Sequence, residues 1–188
     1  MPLTEFQKGV LRLIAANRSV EIDWVADGVY RFFPVVEDEI MGWRLHWFDV
    51  AVNKALALSA RSVSRDYIDT VELAKRIPLA AICWAACGKD EGFSPILLIQ
   101  LMKRFVKVTK EEVAEMKARD IDLIELKKSW IEISDEAEQE LIALADEEPE
   151  MPIGVAFLNE KGEPGWYRND PSLTIHPITV RGCLPRFS

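Results

Sequence analysis

The stretch KALALSARSVSRDYID, from Lys54 to Asp69, gathers three cations and two carboxylates within sixteen residues. Lys54, Leu58 and Arg61 stand at i, i+4 and i+7, so on a helix they share one face. Arg65 opens what reads as the next helix, and Asp66 and Asp69 lie one turn apart on it. Two adjoining helices would bring all five charges into one region. Such a set could clamp a triphosphate, whose oxygens need several cations in a partly desolvated cleft. A carboxylate beside them could orient or deprotonate an attacking hydroxyl. The same residues could equally form interhelical salt bridges at a helix corner, and local pattern alone favours that plainer reading.

The elements that must position this block follow from spacing and punctuation. Thr4-Glu5-Phe6-Gln7 has the form of a capping box, and Phe6, Val10, Leu13 and Ile14 recur at helical intervals, which predicts a helix ending near Asn17. VEIDWVADGVYRFFPVV, residues 20–36, is rich in β-branched and aromatic residues and reads as two short strands, or one strand and an extended segment. A helix is expected over about Trp47 to Ala60, and a second over Arg65 to Arg76, capped by Ser64 and with Asp66 near its positive end. Pro78 then starts a nearly all-apolar helix that Gly88 stops, Ser94-Pro95 opens another, and Thr109 with Glu112 forms a second capping box. A long acidic helix spans about Asp122 to Leu144, with an apolar stripe of Leu123, Leu126, Trp130, Ile133, Ala137, Leu141 and Leu144. IGVAFLNEKGEPGWYR reads as a β-hairpin turning at Glu160-Lys161-Gly162, and the remaining tail has no periodicity.

The predicted fold class is therefore α+β, mainly α. Residues 1–150 form a helical domain with short β elements near 20–36, and residues 151–188 form a hairpin and tail packed on it. A chain of 188 residues with 49% hydrophobic and 29% charged residues is long enough to bury a sizeable core. No apolar run reaches membrane-spanning length, and the N-terminus lacks a signal-peptide pattern. Three cysteines do not make a disulfide framework, so a reducing cytoplasm is the expected setting. Of the net charge of −8, residues 111–150 carry most, with 15 Asp+Glu against 4 Lys+Arg. Residues 1–110 hold 15 Lys+Arg against 13 Asp+Glu. That distribution allows a local phosphate-binding surface but argues against a broad nucleic-acid-binding face.

Other motifs carry less. Gly88-Lys89 lacks the spacing of a phosphate loop. Cys83 and Cys87, at i and i+4 on an apolar helix, read as buried thiols and not zinc ligands. With only His46 and His176, a histidine-rich metal site is excluded. Glu37-Asp38-Glu39 reads as a solvated turn. Trp24, Phe32, Phe33, Trp43, Trp47 and Trp84 are most simply core.

Beyond these local readings, FDVAVNKALALSARSVSRDYIDTVEL resembles the K-x-x-A-L-x-x-R-x-x-x-R-D-x-x-D block of AbiEii-type nucleotidyltransferases, the toxin class of type IV toxin–antitoxin systems. The match runs over Lys54, Ala57, Leu58, Arg61, Arg65, Asp66 and Asp69. LTEFQKGVLRLIAANRS is similar to the helix that opens many members, and IDWVADGVYRFFPV resembles the strand before the Lys block. LAAICWAACGKDEGFSP and LKKSW resemble downstream segments of one bacterial branch. The resemblance implies nucleotidyl transfer from an NTP with a divalent metal such as Mg²⁺. It places Lys54, Arg61 and Arg65 near the triphosphate, Asp66 and Asp69 as polar or base residues, and Asp23 as a metal-binding acid.

The family's Gly-Gly or Gly-Ser turn followed by D-x-D is missing between Asn17 and Asp23. The DID at Asp120 to Asp122 follows the Lys block and lacks a Gly-rich turn, so Asp122 reads instead as a helix N-cap. A lone Asp23 cannot hold two metals. The expectation is a truncated or degenerate relative, catalytically incompetent alone, that retains a nucleotide- or partner-binding surface. The alternatives are a split transferase whose metal acids come from another chain, and a structural helical interaction module. A cognate antitoxin or a complementing catalytic chain would be the partner, and Mg²⁺ and NTP matter only if the transferase site works.

Overall fold

A computed structural model describes residues 9–15, 18–24, 30–40, 42–61, 63–104, 108–115 and 121–179. It opens with an antiparallel pair, β1 (Gly9–Ala15) and β2 (Arg18–Trp24), in register from Gly9↔Trp24 to Ala15↔Arg18. The helix expected over Phe6 to Asn17 is thus a strand across Gly9–Ala15. Leu, Ile and Val at these positions satisfy either element, and seven-residue pairing with the β-branched run that follows decides for the strand. The capping box at Thr4 to Gln7 lies outside the described residues. A second hairpin, β3 (Val36–Asp38) and β4 (Gly42–Arg44), places Glu37 and Asp38 on a strand, and Glu39 in the turn; the sequence reading had made all three a turn. Asp38 receives the Arg44 Nε at 2.9 Å.

The helical body follows. Its elements are α1 (Trp47–Ala60), α2 (Ser64–Ala74), α3 (Leu79–Ala86), α4 (Pro95–Lys103), α5 (Lys110–Glu115) and α6 (Leu123–Glu147). Most boundaries fall where the punctuation puts them. Pro78 is the N-cap of α3, Ser94 accepts from Leu97 N with Pro95 in the first turn of α4, and Asp122 accepts from Ile124 N and Glu125 N to cap α6. The Thr109–Glu112 box closes in both directions. Ser64 is the exception. The N-cap of α2 is Val63, and the Ser64 hydroxyl instead donates to Glu112 Oε2 at 2.6 Å, tying α5 to α2 and holding the Glu112 carboxyl below its ordinary pKa.

Every residue of α3 is buried, and α1, α4 and α6 pack around it. The stripe of α6 faces this core through Leu126, Trp130, Ala137, Leu141 and Leu144. Cys83 and Cys87 lie inside it as free thiols; burial pushes Cys83 up and Cys87 to about 12. At the C-terminal end of α3 the backbone of Gly88 meets that of Gly154, so closely that a Cβ on Gly88 would overlap the Gly154 carbonyl. That approach, not the helix stop alone, is what a glycine permits here.

Beyond α6 a three-stranded sheet has the order β6 (Pro164–Gly165), β5 (Val155–Leu158), β7 (Thr174–Pro177). The hairpin turns at residues 159–163 as the sequence indicates. The tail adds the unforeseen β7, whose exposed alternate residues show no apolar rhythm. Trp166 is buried against Trp84 and Phe157, and its Nε1 donates to Glu140 at 2.7 Å. Of the aromatics read as core, Phe32 and Trp84 are buried, while Trp43 stands 47% exposed on β4.

Among the described residues no helix is long and apolar enough to cross a membrane. The chain is α+β and mainly α.

Candidate functional site

α1 ends at Arg61, whose extended backbone (φ −147°, ψ 138°) turns the chain out of the helix while its N–H still donates to Ala57 O at 2.9 Å. Val63 is also extended and caps α2. This short break folds α2 back against α1 and sets the first turn of α2 beside the last turns of α1. Asp66 lies in that first turn, where a negative charge is stabilised by the helix N-terminus.

Four of the five charges foreseen at this corner meet, and Arg65 stands apart from them. Asp66 is buried, with its side chain 2% exposed, and both of its oxygens are engaged: Oδ1 with Lys54 Nζ at 3.0 Å and Oδ2 with Arg61 Nε at 2.8 Å. Lys54 also reaches Asp69 Oδ2 at 2.6 Å. Burial lowers the Lys54 pKa, but the hydrogen bonds it donates to Asp69 and Asp66 outweigh that and leave the ammonium above its ordinary value. Lys54 is therefore a permanently charged, doubly held cation. Arg61 differs, since its side chain is 63% exposed and only Nε is anchored. Arg65 is exposed on α2 and makes no ion pair among the described residues.

Chemically, two carboxylates balance Lys54 and Arg61, so free anion-binding capacity rests with the outer part of Arg61 and with Arg65. Asp66 holds a cation on each oxygen, which makes it a weak base toward a substrate proton. Asp69 is the more accessible carboxylate.

The fit to a divalent metal is poor. A cation at Asp66 or Asp69 would have to displace Lys54, and hard divalent ions need several free oxygen ligands. Asp23 sits on β2 opposite Val10, and its side chain lies outside the described detail. Among the described residues no group of three or more His, Cys, Asp or Glu is placed to hold a metal.

A second ionic cluster, not anticipated from the sequence, lies about a turn and a half from Lys54 toward the N-terminus of the same helix. Asp49 is fully buried on α1 and accepts the backbone N–H of Phe32 and of Phe33, both at 3.0 Å. Lys89, just past α3, pairs with it at 2.8 Å and donates to Asn53 at 2.9 Å. The residue that failed as part of a phosphate loop is thus a buried counter-ion. The available signal was Asp49 itself, a lone acid in the apolar run WFDVAV, where a charge is expected only with a partner.

Comparison of the chain with models of protein families, with curated proteins and with solved structures found no match in any of the three.

Proposed function

We propose that this chain is a degenerate AbiEii-like nucleotidyltransferase that binds phosphate-bearing ligands at the α1–α2 corner and does not transfer nucleotides by itself. The observation that carries the reading is the convergence of Lys54, Arg61, Asp66 and Asp69, from two helices, into one cluster with Arg61 presented outward. Asp66 fixes the guanidinium by Nε, which leaves its two Nη groups to take a phosphate end-on. Lys54 holds both carboxylates in place and contributes charge from behind. The acids that would bind metal belong, in this reading, to another chain or have been lost. A cognate antitoxin or such a complementing chain is the partner it assigns, in a reducing cytoplasm in keeping with two buried free thiols.

Calorimetric titration with GTP and ATP, with and without magnesium, tests it. Saturable binding is expected, lost in Arg61→Ala and Lys54→Ala proteins whose circular dichroism is unchanged. No heat at millimolar nucleotide would sink the reading. A radiolabelled-NTP assay should show no label transfer by this chain alone.

A further inference from the structure

α6 ends against its own dipole. Residues 146–150 hold four acids and no lysine or arginine, and no basic residue lies in the last turn of the helix. Negative charge there meets the negative end of the macrodipole, where a cation would be stabilising. Glu147 is offset by Arg168 at 2.6 Å. Asp146, Glu148 and Glu150 are exposed and make no ion pair among the described residues. The fold gains nothing from carboxylates placed this way.

Beside them the surface is apolar and hollow. A cavity of about 270 Å³ lies between the start of α4, the last turns of α6 and the loop at residues 149–153. Trp84 and Leu141, both buried, form its base, and Ile96, Ala145, Met151 and Ile153 form its walls. Ile153 is 54% exposed, and Glu148 also lines the cavity. The hollow is built into the fold, because the loop is pinned to α3 and α6. Trp84 Nε1 donates to Pro152 O at 2.9 Å, Gly154 N to Trp84 O at 3.1 Å, and Met151 N to Glu148 O at 3.0 Å. Asp146 and Glu150 each adjoin a wall residue in sequence, so unpaired carboxylates border an apolar floor. An apolar hollow rimmed by charge is the form of a protein-interaction site.

We propose that this groove binds a basic segment of a partner protein, which seats one bulky apolar side chain in the hollow and sets Lys or Arg against Asp146, Glu148 and Glu150. Charge complementarity selects this occupant. The three carboxylates lack cations, and a basic segment brings them to the end of α6 where the dipole also favours them. A second copy fits poorly, since two-fold pairing of this groove would set the same acids face to face. Anionic headgroups and phosphate backbones are repelled for the same reason. The volume is small for a drug-sized ligand and suits a single anchoring side chain. The groove shares no residue with the α1–α2 corner, so it stands or falls independently of nucleotide binding.

Fluorescence anisotropy of fluorescein-labelled peptides, titrated with the full chain, reads the result. The probe has a Leu-Trp-Leu centre with two arginines on each side. One control carries glutamates in place of the arginines, and another carries Gly-Ser-Gly at the centre. Saturable binding of the probe is expected, roughly tenfold or more tighter than that of either control. Ala145→Trp fills the hollow without changing its charge and should weaken the probe by a similar factor. Ile153→Asp adds an acid, so weaker binding by that variant reports lost apolar contact and not lost attraction. Asp146→Lys with Glu148→Lys should weaken binding while the thermal midpoint does not fall, because the lysines complement the helix end. No binding at millimolar concentration overturns the proposal, as does equal binding of either control peptide. Folded Ala145→Trp and Ile153→Asp proteins that both bind as the wild type does overturn it too.

Discussion

α1 carries two ionic clusters about a turn and a half apart, and they are built for opposite ends. Around Asp49 everything is closed: the carboxylate is fully buried, its cation Lys89 is 9% exposed, and two backbone N–H groups and Asn53 complete the shell. Around Asp66 the carboxylate is just as buried, yet its cations graduate outward, from Lys54 at 24% exposure to Arg61 at 63%. The first cluster joins three segments that are distant in sequence and offers nothing to a ligand. The second spends its buried acid on orienting an exposed guanidinium. Burial of a charge does not distinguish structure from function here. What distinguishes them is whether the partners lead inward or out to solvent.

The largest expected effect tests the closed side of that contrast. Asp49→Ala would leave Lys89 buried without its anion and the Phe32 and Phe33 amides without their acceptor. Breaking a buried pair by removing one partner costs about 3–5 kcal/mol, so urea denaturation should show a loss of that size. Asp49→Ala with Lys89→Met should recover part of it, because the orphaned charge is gone. A loss below about 1 kcal/mol would mean that Lys89 finds water on its own, and the two clusters would no longer differ in kind.

The open side should respond more weakly in stability and more strongly in binding. In Asp66→Ala, Lys54 keeps Asp69, and Arg61 passes into solvent. The expected cost is about 1.5–3 kcal/mol, the range for hydrogen bonds to a charged group. Nucleotide affinity, measured by the same calorimetry as above, should fall with it, since the guanidinium loses its anchor. A stability loss equal to that of Asp49→Ala, with affinity unchanged, would make the corner a second structural clamp.

How much of this could be read in advance depends on whether the signal was local. Asp122, Ser94 and the Thr109–Glu112 box do their work within three residues of themselves, and each caps a helix where the sequence places it. The corner was legible for the same reason: Lys54 and Arg61 share a helical face, and Asp66 follows within one break. Ser64 failed because a residue 48 positions away, Glu112, competes successfully for its hydroxyl. Residues 9–15 failed because their apolar spacing suits helix and strand alike, and the pairing with β2 is the deciding term. The Asp49–Lys89 pair spans 40 residues of sequence and no periodicity reports it. Likewise, β7 is held by pairing with β5 and by Thr179 and His176 bonding back to Arg31 and Phe32.

The smallest effect comes from the neighbour that links the closed cluster to pH. His46 caps α1, its Nδ1 accepting from Phe48 N at 3.3 Å, so the ring must be unprotonated at that atom. Burial lowers its pKa below the ordinary imidazole value; Asp49 pulls it back up and Arg44 adds to the lowering. The folded state thus binds this proton less readily than the unfolded chain. The stability it contributes is fully present above the unfolded pKa. It declines as pH falls below that value and is lost once pH passes the folded pKa. His46→Asn keeps a capping acceptor and removes the titration, so its stability should fall less than that of the wild type on acidification from neutral pH. If both proteins lose stability in parallel, the cap does not depend on a neutral imidazole. The field of the buried Asp49 would then reach one turn further along α1 than its closed shell implies.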